Sequence, residues 1–275
     1  MPRLKSYADV PLSMAHLCEI DTPPLELIEA AAKAGLASVG LRVAQASAGG
    51  IEYPLRGEAE RAAVRRRIAA TGTSVLYVEL ISISERTRAA DHEPLLETGA
   101  AIGARRLCVA GDSTNFPIVT EKFADICDLA KSYGIEVDFE FMPFRAVRTV
   151  AEAAGIVKGA DRPNGHVLVD ALHVFRSKSL LADVTKLGPK LTGSFQICDA
   201  PAEPPADLVA EARTNRLIPG EGGLDIWALI DAMPAKTPIG VEVPLALQYP
   251  QLSPAERLAL LVNRTRSYLE QGSTR

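Results

Sequence analysis

The sequence predicts an α/β fold, a (β/α)8 barrel of the TIM type forming a single domain over 1–275. Three observations carry the prediction. Short apolar runs alternate with amphipathic Ala/Leu/Glu/Arg-rich runs along the chain, and the apolar runs number eight. Shared among them, the length leaves about 34 residues per unit, which suits a strand and its crossover helix. Such alternation requires parallel strands covered by helices, each crossover right-handed. Eight units close into a barrel; an open doubly wound sheet is the alternative if one strand is misread.

Taken in order, strands are expected near 10–18, 37–43, 74–83, 106–111, 135–141, 166–170, 191–198 and 239–243. The helices between them are expected near 24–35, 57–71, 92–102, 118–133, 147–159, 178–188 and 224–233, with a last one near 253–270. The first helix reads as capped by Asp21 or Thr22, with prolines in its first turn and Gly35 at its end; Ser253 and Pro254 open the last helix in the same way. The longest irregular stretch is 198–223. Loops of that length are usually functional or disordered.

Composition narrows the function classes. A hydrophobic content of 47% supports a sizeable core, and a net charge of −4 supplies no positive field for a phosphate backbone. The run "RAAVRRR" at 61–67 reads as the solvated face of a helix. Nucleic acid is therefore not an expected partner. Cys18, Cys108, Cys127 and Cys198 form no CxxC pair, which fits reduced thiols in a cytoplasm. No apolar run approaches the roughly 18 residues needed to span a bilayer. The opening "MPRLKSYADVPL" has no apolar core of a signal peptide. A cytoplasmic protein acting on a small molecule, without a membrane partner, is the expectation.

Four of the apolar runs end in an oxygen donor: Glu140 in "VDFEF", Asp170 in "HVLVDALH", Gln196 in "LTGSFQICD" and Glu242 in "IGVEVP". In a parallel barrel the functional groups gather at the C-terminal strand ends, so these four converge. Singly, each could be a capping or ion-paired residue. Jointly they crowd carboxylates that repel unless a cation joins them. An all-oxygen shell suits Mg2+ or Mn2+ better than Zn2+. Such an ion, holding a carbonyl and its neighbouring hydroxyl, acidifies the C–H between them, and Glu140 and Glu242 on opposite sides could exchange that proton.

His173 is a further candidate acid or base, or a turn histidine bonded to backbone. Arg216, in the long loop, suits a forked grip on substrate oxygens, or equally a loop-pinning pair with Glu221 or Asp199. His16, Arg42 and Glu79, at or near the first three strand ends, are candidate substrate contacts, while His92 and His166 read as structural. No GxGxxG follows the first strand, and neither a P-loop nor GxSxG occurs. The eighth-strand loop, "PLALQYPQLSP", lacks a glycine-rich phosphate cradle.

In "FEFMP", "LVDALHVFRS", "FQICDAP", "RLIPGEGGLD" and "VEVP" the chain resembles the xylose isomerase-like barrel superfamily over nearly its whole length. The resemblance implies a divalent metal held by Glu140, Asp170, Gln196 and Glu242, with the two glutamates flanking the substrate. Gln196 departs from the histidine typical of ketose 3-epimerases at that position. Some hydroxypyruvate isomerases, inosose dehydratases and dehydroshikimate dehydratases carry glutamine there, and the Asp170/His173 spacing is similar to the dehydroshikimate dehydratase pattern. Four histidines in all, mostly outside the site, do not match the His-rich zinc cluster of endonuclease IV.

The expected activity is thus a metal-dependent isomerase or epimerase of a small polyhydroxylated carbonyl compound, working by proton transfer through an enediolate. The alternatives are a dehydratase (lyase) of a cyclic keto-polyol or keto acid such as inosose or 3-dehydroshikimate, a C-glycoside-cleaving subunit needing a partner chain, and a sugar-binding barrel without activity. Barrels of this kind often pair through outer helices, so a homodimer is the expected homo-oligomer.

Overall fold

The computed structural model describes residues 10–46 and 49–272. The leader reading of the N-terminus and residues 47–48 of the second-strand loop lie outside them. Along the chain run β1 (Leu12–Met14), α1 (Pro24–Lys33), β2 (Ser38–Arg42), α2 (Glu58–Thr71), β3 (Ser74–Ile83), α3 (Glu93–Ala101), β4 (Arg106–Gly111), α4 (Phe116–Ser132) and β5 (Glu136–Glu140). They are followed by α5 (Val150–Ala160), β6 (Gly165–Asp170), α6 (Ala171–Arg176), α7 (Leu181–Leu191), β7 (Thr192–Ile197), α8 (Leu208–Thr214), α9 (Ile226–Ala232), β8 (Ile239–Val241) and α10 (Pro254–Gln271). All neighbouring strands are parallel, and β1 pairs with both β2 and β8, closing the barrel. The open-sheet alternative is thereby removed.

Each strand is buried on both faces, which is why the strands read as continuous apolar runs rather than as alternating ones. The outward side chains, among them Val109, Val137, Phe139, Val167 and Ile197, pack under the helices in one core, where Phe123 meets Phe139 edge to face at 5.4 Å. A second, smaller cluster fills the barrel itself with Tyr77, Cys108, Ala110, Met142 and Leu168.

Period-2 alternation sets the interior layers. On β5, Asp138 and Glu140 share the inward face. Asp138 takes a forked pair from Arg106 (2.6 and 2.5 Å) and the hydroxyl of Ser194, low in the barrel. Gly193 makes room there, since a Cβ would overlap Asp138 and Arg106. Two residues further along, the same faces bring Glu140 and Gln196 to the upper rim.

The helix starts follow local chemistry. Thr149 and Ser253 each form capping boxes, with Glu152 and Glu256. The expected cap of α1 is corrected: Pro23 occupies the N-cap with no side-chain bond, so neither Asp21 nor Thr22 serves. The first strand is shorter than 10–18, because a 3-10 turn begins at His16. Regular helix geometry breaks within α7 at Gly188 (φ 61°), the expected end of the helix over 178–188. Neither α6 nor α8 was foreseen. The 61–67 run lies on α2, of which only Val64 is buried. All four cysteines are free and buried. Among the described residues, no helix is long and apolar enough to cross a membrane.

Candidate metal and acid-base site

Glu140 ends β5, Asp170 ends β6, Gln196 lies one residue before the end of β7, and Glu242 follows β8 directly. Carboxylate oxygens of Glu140, Asp170 and Glu242 lie within 4.8 Å of one another, and all three residues are buried. Gln196 donates its amide NH2 to the Tyr77 hydroxyl at 3.1 Å, while its Oε1 is buried without a hydrogen-bond partner. Three carboxylates beside an orphaned amide oxygen fit a hard divalent cation, which would satisfy both the charge and the lone pairs.

The cation already beside the cluster is Arg216. Its guanidinium reaches Asp170 at 2.7 Å and Glu242 at 2.8 Å and is 2% exposed. The loop-pinning alternative is overturned, since Glu221 pairs with Arg264 instead. Asp199 takes backbone N–H groups of Ala200, Gly220, Gly222 and Leu224. Counted in their ionised forms, three carboxylates and one guanidinium leave two negative charges, the charge of one divalent ion.

The carboxyls sense this imbalance. Burial and the neighbouring charges of Glu242 and Asp170 push Glu140 well above the carboxylate range, and Arg216 only partly offsets them. Burial likewise raises Glu242 to about 7 against the pull of Arg216. For Asp170, burial also pushes upward, but Arg216 and His173 outweigh it and hold the group below its usual value. Asp170 also caps α6, accepting from the His173 N–H at 3.0 Å. Ligand and cap are therefore compatible roles.

The cap places His173 with its Nε2 3.7 Å from Glu140, its ring edge-on to Phe144, and its Nδ1 buried without a partner. Burial lowers its pKa to about 4, so the ring is neutral near pH 7. Arg42 and Glu79 pair at 3.0 Å and line, with Glu140, His173, Arg216 and Glu242, a cavity of about 270 Å3.

His16 departs from its expected role. Its Nδ1 accepts from the Arg42 N–H, its Nε2 faces the Thr22 carbonyl, and it does not line the cavity. Both ring nitrogens thus serve backbone, and the residue holds the first two loops together. Sequence reasoning missed Tyr77, Cys108 (thiol 3.4 Å from Glu140) and Arg145. The first was detectable, since Tyr77 precedes Glu79 by two on one strand. A larger cavity of about 470 Å3 at the opposite end of the barrel is lined by Ser13, Ser38, Ser74 and the 233–239 segment, away from the carboxylates.

A sequence model of the family described as xylose isomerase-like TIM barrel matches residues 28–260. The chain belongs to that family. Solved structures similar to this xylose isomerase-like barrel include the IolI protein with a bound zinc atom, 16% identical over 95% of this chain and 99% of that one, with a TM-score of 0.80. A xylose isomerase domain containing protein from Salmonella typhimurium LT2 is 17% identical over 98% and 99% of the two chains, with a TM-score of 0.75. D-psicose 3-epimerase from Clostridium cellulolyticum H10, solved with D-tagatose, is 13% identical over 95% and 100%, with a TM-score of 0.70. No curated protein matches the chain. At these identities the structures establish that the xylose isomerase-like fold is shared.

Proposed function

We propose that the protein is a divalent-metal-dependent isomerase or epimerase of a small polyhydroxylated carbonyl compound. The observation that carries this reading is the cluster of Glu140, Asp170 and Glu242 beside the orphaned Gln196 oxygen, opening on a cavity sized for a small molecule. Those four residues would hold the ion, and the all-oxygen set favours Mn2+ or Mg2+. When bound, the ion supplies Lewis-acid activation of a carbonyl and its neighbouring hydroxyl.

The chain's own residues do the rest. Glu242 and Glu140 are the candidate proton carriers: one carboxylate takes a proton from carbon, and the other carboxyl returns one to the adjacent atom or the opposite face. The exchange needs no redox partner. Arg216 fixes Asp170 and Glu242 in place and presents a charge to substrate oxygens. Arg42 and Glu79 offer a paired donor and acceptor to hydroxyls along the cavity wall.

Calorimetric titration of the protein with Mn2+ and Mg2+ tests the site. Binding that is weakened at least tenfold in Glu140→Gln and Glu242→Gln supports it; no binding to the wild type, or equal binding to the variants, overturns it in favour of a barrel that only binds sugars. A screen of ketoses, inososes, hydroxypyruvate and 3-dehydroshikimate with metal, read for both isomerisation and dehydration, then assigns the reaction.

One observation supports a second reading. His173 lines the cavity with its Nε2 3.7 Å from Glu140 and its Nδ1 unpartnered, which places it to relay a proton from that carboxyl to a departing hydroxyl and would make the enzyme a dehydratase. Under that reading His173→Ala abolishes elimination while C–H exchange with deuterated solvent continues. We also propose a cytoplasmic location, supported by the four free buried cysteines.

A further inference from the structure

With a divalent ion in the proposed site, the cavity wall carries one more positive charge than its acids balance. Besides Arg42 and Arg216, it is lined by Arg145 and Arg213. Three of the four are matched. Arg42 pairs with Glu79, and Arg145 with Asp112 at 2.5 Å while donating to Ser82 and the Ala46 carbonyl. Arg216 pairs with Asp170 and Glu242. Adding the divalent ion of the proposed active site, on which this inference rests, brings the carboxylate cluster to neutrality. Arg213 is then left over. It is exposed, and among the described residues it makes no ion pair or hydrogen bond.

Its position is built rather than incidental. Arg213 also borders an adjoining cleft with Arg145, Asp112 and Phe144, so the two guanidiniums share the rim above the catalytic floor. It projects from α8, which is capped by Asp207 and anchored by a buried forked pair between Arg176 and Glu211 at 2.7 and 2.6 Å. Arg176 also donates to the Pro201 carbonyl at 2.7 Å, tying the helix to the start of the same loop. An unmatched guanidinium carried by an anchored helix at a pocket mouth suits one anionic group on the ligand.

We propose that Arg213, backed by Arg145, binds a carboxylate at the end of the substrate remote from the reacting carbons, so that the substrate is a polyhydroxy keto acid rather than a neutral sugar. One unmatched positive charge calls for a monoanion. A phosphate monoester carries roughly −1.5 to −2 near neutral pH and exceeds it. The loop after β8 also has no glycine-rich turn to supply backbone donors for phosphate.

The test uses the Mn2+-loaded protein and three ligands that differ only at one end: D-fructuronate, D-fructose and D-fructose 6-phosphate. Affinities are measured calorimetrically at two salt concentrations. The expected result is that D-fructuronate binds at least about tenfold more tightly than D-fructose, the scale of one charge-assisted contact. The ratio falls to about one in Arg213→Gln, is partly retained in Arg213→Lys, and shrinks at high salt. A ratio of one in the wild type, no binding of D-fructuronate, or a ratio that survives Arg213→Gln overturns the proposal. D-fructose 6-phosphate binding more tightly than D-fructuronate overturns the carboxylate in favour of a phosphate. Deuterium exchange into the same ligands reports on the proposed activity separately, so a protein that prefers the uronate yet exchanges no hydrogen retains the subsite and loses the isomerase reading.

Discussion

At the scale of the residue, the site is governed by two glutamates whose burial works against their charge. In the metal-free protein Glu140 and Glu242 have folded-state pKa values above their ordinary ones. Such groups contribute stability that is present below the unfolded value and lost as pH rises through the folded value, about 7 for Glu242. Divalent-ion binding should therefore displace protons below that pH. The expected outcome is a metal affinity that rises by up to about tenfold per pH unit for each proton released, with a heat of binding that depends on the buffer's ionisation enthalpy. Tyr77 supplies a second prediction. It accepts from the Gln196 amide, and its ring occupies the space where a Cβ on Gly40 would stand. Gly40→Ala is expected to displace the Tyr77 ring and lower metal affinity about tenfold, and Tyr77→Phe to lower it by less; calorimetry with Mn2+ checks both. Glu140 and Glu242 were readable in the sequence because they end apolar runs. Tyr77 was not singled out, because an aromatic inside a strand reads as core.

Among the elements, the connection from β7 to α9 decides most. It delivers Arg216 to the cluster and Arg213 to the rim, and Asp199 holds it by accepting four backbone N–H groups. Removing that carboxylate strands one buried and three part-buried donors, a fully buried one costing roughly 1–3 kcal/mol. Asp199→Ala is thus expected to destabilise the protein by about 3 kcal/mol or more in urea melts and to expose 199–224 to limited proteolysis. Breaking the buried Arg176–Glu211 pair with Glu211→Ala should cost about 3–5 kcal/mol, since it leaves a guanidinium uncompensated. The length of this connection was plain in the sequence. Its helix was not, because α8 spans seven residues and too few turns to show a period. The same holds for α6, whose start is set by the Asp170 side chain.

For the whole molecule, closing the barrel gathers strand ends far apart in the chain into one rim and sets three buried carboxyl groups there against one guanidinium. A divalent ion that binds only the folded state should raise its stability by about 2.7 kcal/mol at one hundred times its dissociation constant. For a chain of this size that corresponds to a rise in melting temperature of several degrees. Thermal melts in Mn2+ or Mg2+ against chelator check it, and Glu242→Gln should abolish most of the shift. The eight strands and the helices between them were legible because period and punctuation are local properties, and the short β1 and β8 were overextended because their apolar runs continue into turns.

The sequence by itself determined the strand–helix alternation, hence the parallel barrel, and the four oxygen donors at strand ends, because side-chain period and strand order leave those positions no other face. Only the tertiary structure decided which charges meet. Arg216 goes to Asp170 and Glu242 rather than to Glu221 or Asp199, His16 turns to backbone, and Arg213 remains unmatched at the rim. The physical reason is reach: a charged side chain on a long loop has several candidate partners of equal chemistry, and only the folded path of the backbone brings one within hydrogen-bond distance.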